Sequence, residues 1–176
     1  MPTKKKSASK ASVAKPSSSK PPKATRPYMP GYGVPKGSKG LLPWSWAEER
    51  LEKSHSYWIS TARPDGSPHM MVIWGLWMDG GFCFSTGAQS RKGRNLANNP
   101  KCVIGNEKAD EAVVVEGEAQ LTSDPAVLKR FGQAYQKKYK WDMSDSSEPV
   151  YVMRPRVAFG LYEKKFAQSM TRWVFG

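Results

Sequence analysis

The sequence predicts a mainly β chain with inserted helices, in which six or seven antiparallel strands wrap into a barrel. Two Asp-Gly turns, Asp65-Gly66 and Asp79-Gly80, occur in succession between runs rich in β-branched and aromatic residues, the mark of an antiparallel meander. The run from Pro68 to Met78 is apolar at both alternating sets of positions, so it belongs to a strand covered on both faces. Closing the sheet removes exposed edges and suits the strand count.

Each element has a local reason. Ser45-Trp46-Ala47-Glu48 reads as a capping box opening a helix through about Ser54. Ser56 to Arg63 is the first strand, Pro68 to Met78 the second and Phe82 to Thr86 the third. Gly87-Ala88-Gln89 is a loop, and Ser90 caps a helix that Asn98-Asn99-Pro100 ends. Lys101 to Asn106 and Ala112 to Thr122 are strands four and five. In the fifth, Val113, Val115, Ala119 and Leu121 point inward and Glu116, Glu118 and Gln120 outward. Asp124-Pro125 starts a helix to about Tyr139, with Val127, Leu128, Phe131, Ala134 and Tyr135 on its apolar face. Val150 to Tyr162 and Phe166 to Phe175 are the last strands.

The chain has 176 residues and a formal net charge of +13. Residues 1–40 hold ten Lys or Arg and no acid, so the charge belongs mainly to this stretch, read as a disordered basic tail before a domain at 41–176. Such a tail is either a solvated extension or a weak attractor of nucleic acid, anionic lipid or an import machinery. The domain itself lacks the basic stripe of a nucleic-acid binder. The longest apolar run, Met70 to Met78, is nine residues, too short to span a membrane. Cys83 and Cys102 form no CxxC pair, and with two histidines they build no zinc site. A reduced, cytoplasmic protein is expected.

The segment Ser85-Thr86-Gly87-Ala88-Gln89-Ser90-Arg91-Lys92 is the densest polar cluster. It runs from a strand end through a small-residue loop into a helix start with two adjacent cations. Cations are unfavourable at a helix N-terminus unless an anion is present, so the pattern points to a bound phosphate. Arg91 can fork onto two phosphate oxygens, and Lys92 adds a point charge. A flat heteroaromatic ring could lie against the neighbouring apolar strand with Trp74 and Trp77, although core packing explains each Trp alone. His55 and His69 have no sequence-adjacent carboxylate and are read as structural. Cys83 is read as packed.

These residues resemble a family. The order W-I-S-T-x-R-P-D-G-x-P-H, an apolar strand, D-G-x-F-x-F-S-T-G-x-x-S-R-K-x-R-N-L-x-x-N-P and V-V-V-E-G-E-A is similar to the pyridoxamine-phosphate-oxidase-like split barrels that bind FMN or the deazaflavin F420. The similarity runs from about Trp44 to Phe175, with Thr171-Arg172-Trp173 typical of one branch. It implies an antiparallel split barrel of the FMN-binding type and a homodimer with the cofactor at the interface. It also implies oxidoreductase activity on a small-molecule substrate. By motif match, Thr86, Arg91 and Lys92 would grip the cofactor phosphate, with Ser85 and Ser90 nearby. Backbone groups of Val72, Ile73 and Trp74 would face the ring, and Arg172 would enter from the last strand, in one arrangement across the dimer. FMN is favoured over F420. A carrier or sensor of flavin, or of haem in the same barrel, is the non-enzymatic alternative.

Several family positions differ. An Arg and a Lys that bracket the second strand in true pyridoxamine phosphate oxidases read here as Met71 and Leu76, and a cofactor-contacting Gln reads as Ala112. The R-x-H-D-R group reads as Gln168-Ser169-Met170-Thr171-Arg172. Without those cations a vitamin B6 phosphate would be poorly paired, so another substrate is expected.

Overall fold

The computed structural model describes residues 21–144 and 146–176. Among these the strands are β1 (Lys23–Thr25), β2 (Tyr57–Ala62), β3 (Pro68–Ile73), β4 (Gly75–Met78), β5 (Gly81–Ser85), β6 (Lys101–Asn106), β7 (Glu111–Leu121), β8 (Val150–Tyr162) and β9 (Thr171–Val174). The helices are α1 (Trp44–Lys53), α2 (Arg91–Asn98), α3 (Pro125–Tyr139) and α4 (Phe166–Ser169). No described helix is long and apolar enough to cross a membrane.

All pairings are antiparallel, in the order β1-β9-β8-β7-β6-β2-β3, with β4 on β5 and β5 on β8. The ladder does not close, which corrects the expectation of a closed barrel. The expected second strand breaks at Trp74: its first half pairs with β2, its second with β5, and only the covalent chain joins them. Long β8 carries β5 along Val150–Met153 and β9 along Val157–Gly160, so one strand serves two partners on the same side. The count of nine described strands exceeds six or seven through this break and through β1.

β1 lies within the stretch read as the basic tail. Residues 1–20 lie outside the described residues. Lys23–Thr25 pair with β9, and Arg26 donates to the carbonyls of Gly37, Lys39, Gln168 and Met170 at 2.6–3.1 Å. Four backbone acceptors on one guanidinium fix a segment that composition alone reads as loose.

The core divides in two. Inside the barrel Tyr57, Ile59, Phe82, Phe84, Ile104, Val113, Val115, Met153 and Trp173 pack together. On the outer face of β4, β5 and β8, Leu76, Cys83, Val150 and Val152 meet Phe131, Tyr135 and Tyr139 of α3. Strand two is thus covered on both faces only along β4. On β3, Met70, Met71 and Val72 are exposed.

Three further readings are corrected. The capping box is not formed: Pro43 is the N-cap of α1, and Glu48 accepts from Trp77 Nε1 at 3.2 Å instead. Phe166 to Phe175 is not one strand, because Ser169 Oγ bonds both the amide and the carbonyl of Tyr162 and folds Phe166–Ser169 into α4 before β9. Leu121, the last residue of β7, and Leu128 are exposed rather than inward.

Candidate functional site

The chain turns from β5 into α2 between Ser85 and Ser90. Ser90 is the N-cap: its Oγ accepts from Gly93 N at 3.0 Å and lies 3.1 Å from Thr86 Oγ1. Its amide donates to Gly87 O at 3.0 Å. The loop folds back on the helix so closely that a Cβ on Gly93 would stand 2.5 Å from Gly87 O and 2.7 Å from Ala88 O. Asn95 is buried and donates to Thr61 Oγ1 at 2.9 Å, tying α2 to β2. The amides of Arg91 and Lys92 open the helix and have no intrahelical acceptor.

This loop forms one wall of a groove of about 480 Å³, through Ser85, Thr86, Gly87, Ser90 and Lys92. Val72, Ile73 and Trp74 at the β3–β4 break form the other. The structure therefore brings together seven of the nine residues singled out from the sequence. Arg91 is exposed on the first turn of α2 and does not line the groove. Neither Arg91 nor Lys92 forms an ion pair among the described residues. Nearby His69 is held below the usual histidine range by desolvation first, then by Arg63, Lys92 and Arg91, so this corner is electropositive. Its Nδ1 is buried without a partner.

Arg172 lies elsewhere. The registers place Val72, Trp58, Gly105, Val114, Phe159 and Arg172 in one cross-strand row on the outward face. Five strand spacings separate the ends of that row, about 24 Å along the sheet. Within one copy Arg172 is not among the residues that line the groove.

Two groove residues escaped the sequence reading, Tyr135 of α3 and Glu148 of the following connection. Tyr135 was legible as a core position, but nothing local shows that α3 lies across the break. Glu148 accepts from Ser85 Oγ at 3.3 Å. It is exposed, so its carboxylate can turn to solvent when another anion takes the loop. A larger hollow of about 520 Å³ lies on the outward sheet face around Ser60, Val103, Glu116 and Arg156. Its Arg156 is paired with Glu118 at 3.1 Å and no helix start points there, so it lacks the features of a phosphate site.

Free amides at a helix start, three hydroxyls, a lysine and close glycine packing suit a phosphate ester, and the apolar edge beside them suits a flat ring. The family positions that differ fit other roles. Leu76 is buried against α3, and Gln168, Ser169 and Met170 hold the N-terminal segment and α4. Cys83 and Cys102 are free and buried, and burial pushes both thiols up to about 12. They are packed, not reactive.

Comparison with solved structures shows the same fold in several proteins. A conserved hypothetical protein from Mycobacterium tuberculosis matches at 21% identity and TM-score 0.65, covering 74% of this chain and 91% of that one. An F420 reductase matches at 22% identity and TM-score 0.53, covering 63% and 94%. A haem-binding protein from Mycobacterium smegmatis matches at 17% identity and TM-score 0.56, covering 73% and 62%. Comparison with curated proteins by sequence returned no match. The family model described as pyridoxamine 5'-phosphate oxidase matches residues 46–166, more than half of the chain. Together with the split antiparallel sheet and the loop before α2, that match establishes that the chain belongs to the pyridoxamine 5'-phosphate oxidase family.

Proposed function

We propose that this protein is a flavin- or deazaflavin-dependent oxidoreductase that binds FMN, or alternatively F420, in the groove between the β3–β4 break and the start of α2. One observation carries the reading. A phosphate-adapted loop and an apolar ring-sized wall, distant in sequence, line a single groove. The Arg91 and Lys92 side chains and the first amides of α2 would hold the phosphate, assisted by Thr86, Ser85 and Ser90. The backbone of Val72, Ile73 and Trp74 would orient the ring and exclude water from it. When bound, the cofactor supplies the hydride or electron chemistry. The substrate is a small molecule other than pyridoxamine phosphate, because Met71 and Leu76 offer no cation to its phosphate.

The active form is a homodimer in this reading. The outward face presents Trp58, Met70, Val72 and Val114 at 44%, 57%, 46% and 36% exposure, an apolar patch that a second copy would cover. Arg172 lies in the same face and row as Val72, so stacking two such faces about a two-fold axis would carry it toward the partner's groove. Free buried thiols are in keeping with a reducing, cytoplasmic setting.

Mass spectrometry of the small molecule released from purified full-length protein tests this reading. FMN or F420, or tight uptake of either, supports it. A protein that takes up neither is not a flavin or deazaflavin enzyme. A Soret band without flavin absorbance would favour the haem carrier instead.

A further inference from the structure

We infer that Tyr139 and Lys138, in the last turn of α3, are positioning residues that set the ring-facing wall of the groove. The inference rests on the binding site proposed above. Tyr139 holds two consecutive residues of the β3–β4 break. Its ring stacks on Trp74, with centroids 4.7 Å apart and planes 4° from parallel. Its hydroxyl accepts from Gly75 N at 3.0 Å and lies 2.7 Å from Gly75 O and 2.9 Å from His55 O.

The strand break explains why such a clasp is needed. Where β3 leaves β2 and β4 joins β5, the Gly75 amide and carbonyl take side-chain partners from α3. An unpaired buried peptide group is costly. A phenol has one proton, so Tyr139 donates to either Gly75 O or His55 O at a given moment. Lys138 removes the conflict. Its Nζ donates to Gly75 O at 3.3 Å, Tyr57 OH at 2.8 Å and Glu52 O at 3.4 Å, three acceptors for three protons. The ammonium also lies 4.9 Å from the Tyr57 ring centroid and 5.3 Å from that of Tyr139.

Residue 75 must be glycine for β4 to pack on β5 at the break. A Cβ there would stand 2.7 Å from Phe82 Cε1 and 2.8 Å from Cys83 O. The residue after Tyr139, Lys140, adopts a left-handed conformation (φ 57°) and ends α3, so the helix presents its last turn to the break. Tyr135, one turn earlier, lines the groove itself. The clasp thus registers three parts on one another: the wall at Val72–Trp74, the α3 face carrying Tyr135, and the barrel floor at Tyr57. Tyr139 and Lys138 are not among the residues lining the groove and act through Trp74 and Gly75.

The test uses full-length protein and two readouts. FMN affinity is measured by quenching of its fluorescence, and the Gly75 amide is followed by NMR hydrogen exchange without cofactor. Tyr139→Phe keeps the stacked ring and removes the clasp. It should weaken FMN about tenfold and speed Gly75 exchange about a hundredfold. Lys138→Met should do the same in lesser degree, with Lys138→Arg restoring affinity. Val127→Ala, on the same helix, should lower the melting temperature and leave FMN affinity unchanged, which separates positioning from mere destabilisation. If Tyr139→Phe does not fold, Lys138→Met and Lys138→Arg carry the same comparison. If wild-type protein binds neither FMN nor F420, the functional reading fails while Gly75 exchange still judges the clasp. Unchanged exchange, or unchanged FMN affinity in a protein that binds FMN, overturns the inference.

Discussion

Gly93→Ala sets two physical effects of known sign against each other. In a helix interior alanine is better than glycine by roughly 1 kcal/mol, so propensity alone predicts a more stable protein. The packing predicts the reverse. The new methyl would lie 2.5 Å from Gly87 O, 2.7 Å from Ala88 O and 3.0 Å from Ala88 C, all backbone atoms. Reaching ordinary contact at 3.4 Å requires a movement of about 0.9 Å in the loop or the helix. Overpacking costs typically about 1–3 kcal/mol, and backbone neighbours place this site at the upper end. The net is a loss of about 2 kcal/mol, or a fall of about 4–8 °C in Tm for a domain of this size. The displaced segment is the phosphate loop, so cofactor affinity should fall as well. Gly132 on α3 is the matched control, with nothing within 4 Å of its Cβ position. Gly132→Ala should therefore show propensity alone and raise Tm by about 2–4 °C. Differential scanning calorimetry of both variants, with FMN titrations, checks the pair. A Gly93→Ala protein as stabilised as Gly132→Ala would refute the packing argument and the loop geometry on which the phosphate site rests.

Replacing Arg91 and Lys92 together with Ala should remove charge-assisted bonds of about 1.5–3 kcal/mol each. FMN affinity should fall by at least a hundredfold with little change in far-ultraviolet circular dichroism, and equal cofactor occupancy would count against the site. In the proposed homodimer, Trp58→Glu should give a monomer in light scattering and cost cofactor affinity, since it places a charge in the apolar outward face. Ser90→Ala should cost about 1 kcal/mol through loss of the N-cap, read by urea unfolding. For pH, Lys138 is lowered from 10.5 to about 8, mainly by desolvation. Between those values the unfolded chain holds a proton that the folded chain has lost, so this group's contribution to stability rises with pH from about 8. The wild-type minus Lys138→Met difference in unfolding free energy should climb from pH 8 to 10 and be flat below pH 7. Taking the difference cancels the opposite trend from the raised thiols of Cys83 and Cys102.

The parts of the fold legible in the sequence are those whose cause is local. β6 and β8 have the expected limits because turn residues bound them. Ser90 and Asp124 cap their helices as read, each side chain accepting from an early amide. The misreadings come where a distant partner decides. Lys23-Ala24-Thr25 has no strand pattern and becomes β1 only because β9 offers an open edge. Ser45 and Glu48 have capping-box spacing, yet Trp77 takes the Glu48 carboxylate. Pro68 to Met78 reads as one strand because hydrophobic alternation does not register a change of partner. The break at Trp74 is set by what β2, β5 and α3 each demand of the chain.

The same division runs through the site. The proposed phosphate loop lies within eight consecutive residues, Ser85 to Lys92, so spacing and charge alone expose it. The ring-facing wall belongs to a neighbouring strand and could be named, but its shape could not, since that depends on α3 more than fifty residues later. Tyr135 was visible only as a member of an apolar helix face, and Tyr139 only as the end of that helix. An aromatic stripe at helical spacing fills a core in most proteins, and here it does so as well, against Leu76, Cys83 and Val152. What distinguishes Tyr139 is that its hydroxyl bonds the Gly75 amide and carbonyl where the chain changes partner strands. The missing information was therefore the location of that strand break, which becomes visible only when the strand pairings are known. Arg172 is the converse case. Its motif suggested a role in the site, and its register assigns it to a face about 24 Å away along the sheet. In the proposed homodimer, Arg172 would complete the groove of the second copy. An Arg172→Ala protein mixed with an Arg91→Ala, Lys92→Ala protein should therefore form heterodimers that recover one intact site of two.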